Sequence, residues 1–238
     1  MESDKRIARA VGALLLISMT ASLLYTNFYS SFLTAPLNTF YPNKNQIILG
    51  ALLELINCIA VVGIAVMLFS ILKRINEHLA RWYFGFRIIE STILTIGIIG
   101  GILLITLSQE FVKAGTPENS YFQTLNILAL AGKHLALQMG IIICSLGGLT
   151  LTLLLYQSRL IPRFISAWGF IGYVLVLTSA LLDIFGIIDT AHGNGMVMYL
   201  PGGLFETILL PLWLIIKGFN SSSVVSDSGL AIRAANIS

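Results

Sequence analysis

Ala13-Leu14-Leu15-Leu16-Ile17 is apolar at every position, and Ile141-Ile142-Ile143 repeats the pattern in the second half of the chain. A transmembrane barrel strand alternates apolar and polar residues over about ten positions, so neither stretch reads as one. Each sits instead in an apolar run of bilayer length, which as a helix needs about 20 residues and satisfies its own backbone hydrogen bonds where water is absent. Windows of that length give six runs: Val11 to Tyr29, Ile47 to Leu72, Tyr83 to Leu107, Leu135 to Leu155, Phe164 to Ile187 and Tyr199 to Ile216. Composition requires the same medium. Of 238 residues, 56% are hydrophobic and only 11% charged, against the roughly 25% charge that solvates an ordinary domain. The sequence therefore predicts an all-α polytopic membrane protein: one six-helix domain over residues 1–219, then a Ser-rich disordered cytoplasmic tail over 220–238.

Orientation follows from Lys and Arg. Lys5, Arg6, Arg9, Lys73, Arg74, Arg81, Arg159, Arg163, Lys217 and Arg233 fall on one side of such a bundle, and only Lys44 and Lys113 fall in loops on the other. The positive-inside rule then puts both termini in the cytoplasm. The first run lacks a small-x-small cleavage pattern before Asn27-Phe28-Tyr29 and reads as a retained helix rather than a signal peptide. Pro36, Pro42, Gly115 and Pro117 mark outer loops, and Tyr121 to Gly132 reads as an outward extension of helix four or an interfacial piece. Cys58 and Cys144 lie within apolar runs and read as small core residues, not a disulfide. A net charge of +3 without a basic cluster excludes nucleic acid as a partner. The partner is the lipid bilayer.

Six charged residues lie within or at the edge of spans: Glu54, Arg87, Glu90, Lys133, Asp183 and Glu206. A charge at the centre of a membrane helix costs about 2.5 to 3.5 kcal/mol on insertion scales, so these groups must face the interior, pair, or be neutralised. Glu54 and Glu206 each stand seven residues from the outer end of their predicted helices, about 10 Å below the interface at the helical rise. Asp183 is four residues from an outer end, and Lys133 with His134 opens helix four. Four helices are thus expected to bring Glu54, Asn57, His134, Asp183 and Glu206 to one outer acidic layer. Arg87 and Glu90, three residues apart on one face, form a second, inner level. The layer reads either as a ligand or cation site or as a structural polar clasp, and the face of His134, Gln138, Ser145 and Thr152 either as part of it or as helix glue.

Pro211 has no N–H for the carbonyl of Thr207, which opens the backbone one residue from Glu206. Gly97 and Gly101 form a GxxxG pair that suits close helix packing, within the chain or against a second copy as a homodimer. HExxH, GxSxG, GxxxxGK[ST], GxGxxG and CxxC are all missing, so no metal or cofactor is expected from motifs. His78 and His192 fall in loops and read as solvated.

Ile7-Ala8-Arg9-Ala10-Val11-Gly12, Phe86-Arg87-Ile88-Ile89-Glu90, Tyr156-Gln157-Ser158-Arg159-Leu160-Ile161-Pro162-Arg163, and Glu206 through Trp213-Leu214-Ile215-Ile216-Lys217-Gly218 together resemble a bacterial integral-membrane family known as domain of unknown function 4386. The similarity spans nearly the whole chain. It implies a multi-pass protein of the bacterial inner membrane and no particular activity.

Three functions are compatible with these residues. The first is binding of a small ligand, cation or proton, with transport, at the acidic groups. The second is an intramembrane metal-assisted hydrolase using a buried glutamate as acid or base. The third is a non-catalytic partner or regulator of another membrane protein. The cluster of ionisable groups within the spans favours the first.

Overall fold

A computed structural model describes residues 2–29, 32, 35–115, 120–190 and 194–220. Six helices long and apolar enough to cross a membrane account for most of them: α1 (Glu2–Tyr29), α2 (Lys44–Leu72), α3 (Glu77–Ala114), α4 (Ser120–Ser158), α5 (Arg163–Ile184) and α6 (Gly195–Ile216). Number and order agree with the sequence reading, but the bounds differ. Apolar windows end where lipid ends, whereas a helix ends where its caps are. Asn76 accepts the Leu79 N–H at 3.1 Å to start α3, and Gly115, at φ 63°, stops it. At 38 and 39 residues, α3 and α4 run close to 60 Å, about twice the hydrocarbon core. Tyr121 to Gly132 is therefore a continuation of α4 beyond the length that one bilayer crossing needs.

Helix five stops earlier than expected, at Ile184 instead of Ile187. Gly186 adopts φ 68°, its N–H bonds the Asp183 carbonyl at 2.8 Å, and the Ile187 N–H bonds the Leu182 carbonyl at 2.9 Å. Those two bonds are a Schellman stop, which glycine can make without strain. Helix six begins earlier than Tyr199, with a turn at Asn194–Val197. Its regular part runs over Leu200–Leu204, passes through a π-helical turn at Phe205–Leu209 where the Leu210 N–H reaches back to the Phe205 carbonyl, and resumes at Leu210–Ile216. Pro211 explains the turn: without an N–H it cannot close the α-bond to Thr207.

Each helix packs on its sequence neighbour, and α6 closes the ring between α5 and α1. Asp4 pairs with Arg74 at 3.3 Å, and the Asn220 N–H bonds the Leu160 carbonyl at 2.9 Å, so the start of α1 and the ends of α2, α4 and α6 meet. We call this the basic end. A core of Tyr83, Leu154, Leu155, Phe205 and Leu214 fills that half, while Phe32, Leu37 and Phe40 cover Leu104 and Ile105 near the other, far end. Outward-facing Ile59, Ile96 and Ile171 stay exposed, as lipid contact requires. A Cβ on Gly172 would stand 2.6 Å from the Gly202 nitrogen; the α5–α6 crossing needs hydrogen there. Gly97 and Gly101 are buried, and Gly97 faces Ala136. Within the chain, the Gly97 side of this pair lies against α4. Residues 221–238, Pro117 and His192 lie outside the described residues.

Candidate functional site

Arg87 stands ten residues from Glu77, Tyr173 ten from Arg163 and Glu206 ten from Ile216. All three therefore lie at about 15 Å from the basic end, near the middle of a bilayer. This corrects the expected outer placement of Glu206. Because α6 starts earlier, Glu206 is eleven residues from Gly195, and a partner waits at that depth. Arg87 Nη2 donates to Glu206 Oε1 at 2.5 Å, and Arg87 Nη1 donates to Glu90 Oε2 at 3.0 Å. Cys144 Sγ lies 3.4 Å from Nη1, and the guanidinium carbon stands 5.7 Å from the centre of the Tyr83 ring. Arg87 and Glu90 side chains are 3% and 7% exposed, Glu206 27%. Arg87 therefore does not snorkel to the interface. It lies across the bundle and holds the carboxylates of α3 and α6 together.

Three polar atoms at this centre have no hydrogen-bond partner: Arg87 Nε and the hydroxyls of Tyr83 and Tyr173. Tyr173 packs edge-on against Phe205, at 6.0 Å between ring centres, and sits over Gly148, where a side chain would strike the ring. Cys144, Tyr83 and Tyr173 belong to no motif in the sequence, and Cys144 reads there as a core residue. Counting from the helix end gives a signal for Tyr173. Tyr173 and Gly148 both fall ten residues from the basic end, level with Arg87.

The other expected residues divide among separate partners. His134 Nε2 and Asp183 Oδ1 are 2.7 Å apart, while Asp183 Oδ2 accepts from the Thr190 N–H at 2.9 Å and the Thr190 hydroxyl at 2.6 Å. Gln138 donates to the Thr190 hydroxyl at 2.7 Å and accepts from the Tyr199 hydroxyl at 3.2 Å. The network ties the far ends of α4, α5 and α6, and both Asp183 oxygens are used. Ser145 and Thr152, on the same face of α4, bond back to their own helix. Glu54 is buried in α2 with Lys133 as its facing cation and Tyr25 as a hydrogen-bonding neighbour, and the Lys133 ammonium lies 5.0 Å over the Tyr25 ring. Asn57 accepts from the Ser18 hydroxyl at 2.5 Å and so joins α2 to α1. Glu206 thus pairs with Arg87, His134 pairs with Asp183, and Glu54 faces Lys133. Among the described residues, no three His, Cys, Asp or Glu side chains come together as a metal would need.

Six apolar helices around a buried arginine that bridges two glutamates define a multi-pass α-helical membrane protein. The sequence model of the family described as "Domain of unknown function (DUF4386)" matches residues 10–218, and the chain belongs to that family. No curated protein and no solved structure matches the chain. The matched region holds Arg87, Glu90 and Glu206 together, along with Pro211 and the π-turn.

Proposed function

We propose that the protein binds a proton or a small monovalent cation at Arg87, Glu90 and Glu206 and moves it part-way across the bacterial inner membrane, with both termini in the cytoplasm. One observation carries this reading: two carboxylates share a single guanidinium at mid-bilayer depth. The trio is one positive charge short, and an uncompensated charge there costs about 2.5 to 3.5 kcal/mol even on the mildest scales. A proton or monovalent ion supplies that charge. Glu206 is the member suited to exchange, being the most exposed and mounted on a π-turn, a feature frequent at functional sites. Glu54 facing Lys133, and Asp183 with His134, are the charged groups such an ion meets on the far side.

The test is thermal unfolding of purified protein in detergent, from mildly acidic to mildly alkaline buffer, with Li⁺, Na⁺ or K⁺. The melting temperature of the parent protein should respond to pH or to one cation, and Glu206→Gln or Glu90→Gln should abolish that response. An identical response in both variants overturns the proposal.

A further inference from the structure

We infer that the same centre binds a small carboxylate anion, using Arg87 Nε, Arg87 Nη2 and the Tyr83 and Tyr173 hydroxyls. This rests on the proton reading above and names the ligand that accompanies the proton. The buried groups left unmatched at this depth are all capable donors, and each unmet donor costs about 1 to 3 kcal/mol. Their residues are almost wholly enclosed, at 0% exposure for Tyr83, 2% for Tyr173 and 3% for Arg87. They also converge. Arg87 lies over the Tyr83 ring, and Glu206 and Arg87 are among the charges that act on Tyr173.

Guanidinium geometry specifies the ligand further. Nε–H and Nη2–H form one edge of the arginine plane, an edge that a carboxylate can bridge with two parallel bonds. Glu206 occupies only half of it, meeting Nη2 through Oε1 and leaving Nε unmet. An incoming carboxylate would take the whole edge and offer its remaining lone pairs to the two hydroxyls. Each unmet group has an N–H or O–H to offer, which suits the lone pairs of an anion. Charge balance links the two ligands: the trio already lacks one positive charge and an anion adds a second negative one, so both Glu206, as it leaves Arg87, and Glu90 must hold a proton when the anion is bound. The partial exposure of Glu206 and the π-turn beneath it provide the exit. Binding is therefore accompanied by uptake of protons and strengthens as pH falls.

Acetate is the probe, with the neutral isostere acetamide and matched chloride as controls. Acetate should raise the melting temperature of the parent protein, with a lower half-saturating concentration at lower pH and with proton uptake visible to a pH dye. Tyr83→Phe and Tyr173→Phe should each raise that concentration roughly tenfold, the loss expected for a hydrogen bond to a charged group. Without acetate both variants should melt at or above the parent's temperature, since each removes a buried hydroxyl whose unmet bond carries a cost. Equal effects of acetate and acetamide, or acetate binding unchanged in both phenylalanine variants, overturn the inference and leave the hydroxyls to internal water. Loss of pH response in Glu206→Gln without any acetate effect sinks the carboxylate alone. Acetate binding by that variant with no change in proton uptake sinks the proton reading instead.

Discussion

Arg87 carries more of the structure than any other charged residue, because it is the only cation that meets Glu90 and Glu206 among the described residues. Arg87→Met should cost about 3 to 5 kcal/mol, the usual penalty for stranding a buried charge by removing its partner. Adding Glu206→Gln should recover part of it. Thermal unfolding of the two variants and the parent measures both steps, and a double variant no more stable than Arg87→Met would refute the coupling. Half of this pairing was readable beforehand. Positions 87 and 90 share a helix face, so local spacing alone predicts their contact. The link to Glu206 spans 119 positions, and no local pattern announces it. The partners of Asp183 were hidden for a related reason. Its partner Thr190 is held in place by the Schellman stop at Gly186 and the loop after it, a backbone detail that apolar windows pass over.

Helix six shows how a single imino acid shapes a functional element. Pro211 denies Thr207 its α-helical bond, and the backbone answers with a wider turn over Phe205–Leu209. One residue of insertion rotates everything on one side of it by about 100°, enough to decide whether Glu206 faces the bundle or the lipid. Gly12 of α1 lies against this site, where an added Cβ would stand 3.0 Å from the Pro211 carbonyl oxygen. Pro211→Ala should therefore yield a folded protein with a straighter helix six and a weakened Arg87–Glu206 bridge. The pH response of the melting temperature should shrink toward that of Glu206→Gln; a response equal to the parent's would show that the π-turn does not set the carboxylate. The opened backbone beside Glu206 was legible from Pro211 alone. Its form, a π-turn rather than a simple kink, depended on how α1 and α5 flank it.

For the molecule as a whole, the ring of six helices makes orientation a single binary choice, since the basic end gathers Lys5, Arg74, Arg163 and Lys217 while Lys44 lies at the start of α2, at the far end. Cysteines at the exposed positions 44 and 217 test the cytoplasmic assignment of the termini with a membrane-impermeant maleimide. Lys44→Cys should label in intact cells and Lys217→Cys only after permeabilisation; the reverse pattern would invert the topology. Cys58 is buried and Cys144 half-buried, so background labelling should be low.

Six helices, their order and the presence of charges that cannot face lipid follow from composition and period, because a bilayer offers one solution to a long apolar run and penalises every exception. Which exceptions meet is another matter. Depth along each helix depends on where its caps fall, and partner choice depends on which faces the ring turns inward. Glu206 left the outer layer for Arg87 because helix six begins at Gly195 and widens at Phe205, facts of backbone geometry that arise only when the six helices are packed together.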